Sequence, residues 1–211
     1  MSQKRRHGEL REKTQQLLQG SLKHARAAAL AAALVPLAAV AASTAVAQDI
    51  GSGGPAVPSP CDFATSGGFV ITDSGTKANF GAHGGCKNGG FWGHVNFVDH
   101  ATGYHVNSVE VTGYLTPLPG STVREICGLA TTNGAEPQPV WFRVRLTDNG
   151  EPGSGDEFGI RLSNGYAVTP RLLNAGNPGG GNIQLHGSNP STTAPDPAPD
   201  EFTMCGGVET P

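Results

Sequence analysis

Acidic side chains crowd one short stretch, "TDNGEPGSGDE" at 147–157. Asp148, Glu151 and Asp156 stand close together there, with Gly150, Gly153 and Gly155 between them to let backbone carbonyls turn toward a common point. Calcium takes roughly six to eight oxygens at about 2.3–2.6 Å, and carboxylates with loop carbonyls are the oxygens it selects. The spacing is not that of an EF-hand, so a calcium site here needs another loop geometry. A second stretch, "GHVNFVDHATGYHV" at 93–106, carries His94, Asp99, His100 and His105. Imidazoles and a carboxylate at that density suit a transition metal or general acid–base chemistry. A strand-borne metal pair wants H-x-H, two ligands on one face, and that motif is missing. With "DHATG" reading as a turn, Asp99 is expected to cap the turn backbone and the histidines to lie at the surface. No nucleophile elbow of the form G-x-S-x-G occurs, and no Gly-rich phosphate loop precedes a helix. Catalysis would therefore fall to His and carboxylate side chains, as in a hydrolase or lyase. Trp92, Trp141, Tyr104 and Tyr114 offer rings that stack on sugars, the mark of a carbohydrate-binding module.

Strands must position these groups. "VWFRVRLT" sets Val140, Phe142, Val144 and Leu146 on one face, with Trp141, Arg143, Arg145 and Thr147 on the other. "EFGIRLS" and "FWGHVNFV" alternate in the same way, through Phe158, Ile160 and Leu162 and through Phe91, Val95 and Phe97. A period of two marks half-buried strands of an antiparallel sheet. Asn-Gly occurs at 88–89, 133–134, 149–150 and 164–165, and both residues tolerate the positive φ that tight hairpins require. After residue 48 no window has the period of an amphipathic helix. The fold class is all-β, a single antiparallel domain of about eight strands, and the pattern does not separate sandwich from barrel. The acidic loop lies between two matched alternating runs, so it is a hairpin connection first and a cation site second.

Residues 1–47 read as a secretory leader. Seven Lys/Arg against Glu9 and Glu12 precede the Ala-rich run "AAALAAALVPLAAVAA", and A-x-A ends at Ala47. That run is short for a membrane span and Pro36 interrupts it. Residues 48–60 and 188–211 are rich in Gly, Pro, Ser and Thr and read as mobile linkers around a β-domain at 61–187. Beyond the leader the chain keeps seven Lys/Arg and fifteen Asp/Glu, a net charge of −8. Such a surface repels phosphate backbones, which argues against nucleic-acid partners. Cys61, Cys86, Cys127 and Cys205 all follow the leader, and in an oxidising compartment an even count reads as two disulfides rather than a zinc site. Cys61 and Cys205 flank the domain in Pro-rich segments, while Cys86 and Cys127 fall in or beside strand-like runs. The expected pairing is Cys61–Cys205 with Cys86–Cys127.

Several stretches together resemble the post-COAP-1 domain family, a group of bacterial exported domains without an established activity. They are "GGFVIT" at 67–72, "ANFGAH" at 78–83, "VNFVDHATGYHV" at 95–106, "VRLTDNGEPGSGDEFGIRLSNGY" at 144–166 and "GGGNIQLH" at 179–186. The resemblance implies a secreted all-β domain and supplies no catalytic residues. The chain departs from that pattern in its cysteines and in "NGAEPQPVWF". The reading that joins these observations is a secreted, disulfide-stabilised β-domain, more a binding or structural module than an enzyme. It is suited to a cell-surface polymer or protein, with calcium as the one candidate cofactor.

Overall fold

The structure is a computed structural model, and it describes residues 54–211; the leader and the first part of the linker lie outside the described residues. Nine strands follow in chain order: β1 (Phe63–Ile71), β2 (Lys77–Lys87), β3 (Gly90–Asp99), β4 (Tyr104–Leu115), β5 (Val123–Thr132), β6 (Val140–Thr147), β7 (Glu157–Leu162), β8 (Ala167–Leu172) and β9 (Gly181–His186). They form one antiparallel sheet in the order β8-β7-β6-β5-β4-β3-β2-β1-β9. Hairpins join every neighbour up to β8, and only β9 crosses to the far edge. Asn88-Gly89, with φ of 50° and 79°, makes the tight β2–β3 turn and so fixes which residues of those strands face each other.

The sheet curls on itself into an incomplete barrel. Phe80 of β2 stacks on Phe158 of β7 at 3.9 Å between ring centroids, and Phe97 of β3 lies 6.0 Å from the same ring. Those strands stand far apart in the sheet order, so they touch only because the sheet wraps round. One residue in two points inward, and Ala82, Val95, Phe97, Val106, Ile126, Phe142, Val144 and Ile160 are wholly buried. At the curl's seam Val70 of β1 bridges Leu173, just past β8, and the Phe69 amide donates to Gly180 O at 2.8 Å.

The C-terminal stretch is no free linker, contrary to its composition. Residues Glu201–Cys205 form a short helix, α1, whose N-cap Asp200 accepts from the Thr203 amide at 2.8 Å. The helix lies on the outer face of β4, β5 and β6, where Met204 and Cys205 join Leu115 and Cys127 in a second small core. Cys127–Cys205 staples it there, with Cα atoms 4.9 Å apart. The other disulfide is Cys61–Cys86, Cα atoms 6.0 Å apart. Both expected pairings are thus replaced, and strand alternation gives the reason. Cys86 points into the barrel and Cys127 points out of it, so the sheet itself separates them. Cys61 enters β1 beside the end of β2, because Phe63 pairs with Gly85. Loops closed by 25 and 78 residues are each worth roughly 3–5 kcal/mol on the chain-entropy account.

Beneath α1, Arg143 and Glu125 form an ion pair that is almost wholly buried. Arg143 also donates to Val208 O at 3.1 Å and meets Glu201 of α1 at 2.7 Å, so the tail completes its partners. Among the described residues no helix is long and apolar enough to cross a membrane.

Candidate functional site

The acidic loop closes the sheet. On β9 the Ile183 and Leu185 amides point away from β1 and have no strand beyond them. Asp156, fully buried, takes the Ile183 amide on Oδ2 at 2.7 Å and the Asn149 amide on Oδ1 at 2.9 Å. Asp148 takes the Leu185 amide on Oδ2 at 2.8 Å and the Gly150 amide on Oδ1 at 2.9 Å. Glu151 accepts from the Asn182 side chain at 2.9 Å. All three acids bind β9: Asp148 and Asp156 stand in for the missing ladder carbonyls, and Glu151 holds a side chain of the same strand. Among the described residues no three His, Cys, Asp or Glu groups are grouped to hold a metal ion. The opposite edge is handled alike: Asp73 accepts from the Thr169 hydroxyl at 3.0 Å and pairs with Arg171, and Pro170 offers no amide.

The histidine cluster is divided by the fold. Asp99 caps the β3–β4 turn, accepting the Ala101 amide at 2.9 Å, and takes the Tyr166 hydroxyl at 3.2 Å. His100 is bound to Asn79 Oδ1 at 2.6 Å, and His105 to the Asn96 amide group at 2.9 Å. His94 stands apart from all three. It faces His83 of β2, its direct cross-strand partner, with ring centroids 6.1 Å apart. His83 carried no motif of its own, yet the Asn88-Gly89 turn dictates this pairing. Burial, and then His94, push the His83 imidazole below the ordinary histidine range.

His83 and His94 belong to the outward face of β9, β1, β2 and β3, which no other described segment covers. Reading across the strands, one row is His186, Phe63 and Trp92; the next is Gln184, Thr65, His83 and His94. The third row is Asn182, Gly67, Gly81, Asn96 and Asn107, and the fourth runs through Phe69, Asn79, Val98 and His105. A Cβ added at Gly81 would meet nothing within 4 Å, and one at Gly67 only Phe80 O at 3.9 Å. Gly67 and Gly81 therefore leave a shallow groove two strands wide in the third row, with Asn182 at one end and Asn96 and Asn107 at the other. The whole row crosses five strands, about 19 Å at ~4.8 Å per step, and the rows on either side of it are about 13 Å apart between Cα atoms. The first row, beyond the wall formed by Gln184, Thr65, His83 and His94, is held in place. The His186 ring stacks on Phe63 at 4.5 Å and bonds Thr65 Oγ1 at 2.8 Å, while the Trp92 indole donates to Cys86 O at 3.2 Å. The outward residues of these strands from Phe63 to Phe69, Asn79 to Gly85 and Trp92 to Asn96 include no charged Lys, Arg, Asp or Glu.

Of the other rings offered for sugar stacking, none shares this face. Tyr114 is buried and donates to Asp62 at 2.8 Å; burial, then Asp62, raise its phenol well above the usual range. Trp141 lies under the tail at Gly206. Tyr104 stacks on Tyr166 at 4.8 Å and donates to Glu136 at 2.6 Å, in a network that Asn164 and Thr132 complete. The hydrogen bonds from Thr132 and Tyr104 hold the Glu136 carboxyl down to about 2. This network ties three loops together. A cleft of about 700 Å³ opens beside Val57, Pro60 and Pro119, but its ionic groups are spent on each other. Arg124 clamps Asp62 with Nε at 3.0 Å and Nη2 at 2.5 Å.

No protein-family model matches the chain, nor does any curated protein or solved structure. The reading of the site therefore stands on its geometry.

Proposed function

We propose that this chain is a secreted, non-catalytic binding module whose outer face on β9, β1, β2 and β3 seats a strand of neutral polysaccharide. The observation that carries the reading is the groove floored by Gly67 and Gly81. Amide side chains of Asn96 and Asn107 continue the row, Phe69 stands in the row beside it, and Phe63 and Trp92 lie one row further out, beyond Thr65, His83 and His94. Sugar hydroxyls both donate and accept, which amides match, and the apolar faces of sugar rings lie flat on aromatic rings. A phosphate- or sulfate-bearing chain would find a single cation at the edge, Lys77 over the Phe69 ring at 4.2 Å, and a net acidic protein around it. Export fits the two disulfides, which persist in oxidising compartments.

Co-sedimentation of the full chain with insoluble chitin, cellulose and peptidoglycan tests the reading. A Cβ at Gly81 meets no neighbour and the position faces outward, so Gly81→Leu should melt like the parent and lose retention on the polymer that the parent binds. Retention of none of these polymers by the parent, or undiminished retention by Gly81→Leu, overturns it.

A further inference from the structure

A different property of the same wall follows from how His94 is held. The β3–β4 ladder stops at the Asn96–Asn107 pair, and beyond it the two strands splay apart. The hydroxyl of Ser108 fills the opening: its Oγ accepts the Val95 amide at 2.8 Å and lies 3.1 Å from His94 Nδ1. Ser108 is itself buried, at 8% exposure. A serine oxygen has two lone pairs, so it can take both the amide and the Nδ1–H. In the tautomer with the proton on Nδ1, which this contact accommodates, Nε2 of His94 is a bare lone pair at the surface. His83, directly opposite, has neither ring nitrogen in a hydrogen bond among the described residues.

We propose that His83 and His94 form a two-imidazole chelate for a first-row divalent transition metal, with Cu²⁺ held most tightly. Metal–nitrogen bonds of ~2.0–2.1 Å put a shared ion about 3.2 Å from each ring centre, so rings that turn one nitrogen each toward the ion can bridge centroid separations up to about 6.4 Å. The observed 6.1 Å lies within that span. Imidazole suits Cu, Zn and Ni, and among divalent ions copper binds best to a given nitrogen set. The Ser108 contact is the outer-shell hydrogen bond that metal-binding imidazoles characteristically make through their other nitrogen. The lysines of this face, Lys77 and Lys87, stand at the two ends of β2, six and four residues from His83, and no free cysteine among the described residues competes for the ion. Two protein ligands leave the remaining positions to water or to an oxygen of a bound molecule. The site is not one that the motif H-x-H would reveal, because its ligands come from two strands.

The test is a Cu²⁺ titration of the full chain, with His7 and His24 changed to Gln and no polysaccharide present, so that this proposal and the glycan reading fail independently. Expected is one equivalent of copper whose paramagnetic resonance spectrum shows two coordinated nitrogens, together with a higher melting temperature. His83→Gln and His94→Gln should each weaken binding at least about tenfold, and Ser108→Ala roughly 10-fold or more, with metal-free melting of the two histidine variants unchanged. His100→Gln and His105→Gln should leave the titration as it was. The proposal is overturned if no stoichiometric copper is bound, or if the ion is held equally well without His83 and His94.

Discussion

One sheet presents two outward faces that could hardly be treated more differently. Over β4, β5 and β6 the chain folds its own tail back, buries the Arg143–Glu125 pair and staples α1 to Cys127. Over β9, β1, β2 and β3 nothing described covers the outward side chains, though these include Phe63, Trp92 and Phe69. Charge buried under a helix costs several kcal/mol unless each partner is placed, so the covered face is committed to structure. The bare face leaves rings, amides and imidazoles to solvent, with glycines where bulk would obstruct. Residues on the first should govern folding, and residues on the second binding.

The largest effect expected from breaking this division lies in the staple. Cys127→Ser with Cys205→Ser should cost about 4–5 kcal/mol in chemical denaturation and increase dye binding to the uncovered face. Next comes Arg143→Met, which leaves buried Glu125 with Arg145 alone, at 3.4 Å; about 3 kcal/mol of stability should go, with polymer retention intact at temperatures where the variant is folded. Trp92→Ala inverts the pattern. It removes a half-exposed ring, so calorimetry should show a much smaller loss of stability while polysaccharide retention drops markedly. The smallest effect concerns pH at the Glu136 network. With a folded value of about 2 against the ordinary 4.5, Glu136 contributes stability above about pH 4.5 that fades as pH falls toward 2. A carbon-detected titration of Glu136 should therefore show no protonation near pH 4; a midpoint there would remove the network from the account.

Alternation in "VWFRVRLT" and "EFGIRLS" was enough to read an all-β antiparallel sheet, and the structure adds one strand to the expected eight and resolves the shape as a curl. The disulfide pairing was also legible in principle, since counting along β2 and β5 sends Cys86 inward and Cys127 outward. Position along the chain was the weaker guide. The Asn88-Gly89 turn likewise contained the His83–His94 pair, which a search for H-x-H within one strand overlooks. Two features were beyond local pattern. The tail's Pro and Thr composition says nothing of a partner 78 residues away. Nor does the acidity of Asp148 and Asp156 say that their oxygens meet amides of β9, because that contact exists only once the sheet has curled. A calcium titration with chelator control separates that role from cation binding: melting that ignores calcium leaves the loop a closure alone.

The carboxylates along the two sheet edges also bear on how copies of this protein meet one another. A β-strand with open amides is an invitation to any second strand, and an antiparallel sheet with two such edges could extend copy after copy into a fibre. Here Asp148 and Asp156 occupy one end of that line and Asp73 with Pro170 the other. Replacing Asp148 and Asp156 with alanine would uncover the Ile183 and Leu185 amides together. Such a chain should remain β-rich yet sediment as chains of molecules, and solubility rather than melting temperature would register the loss first.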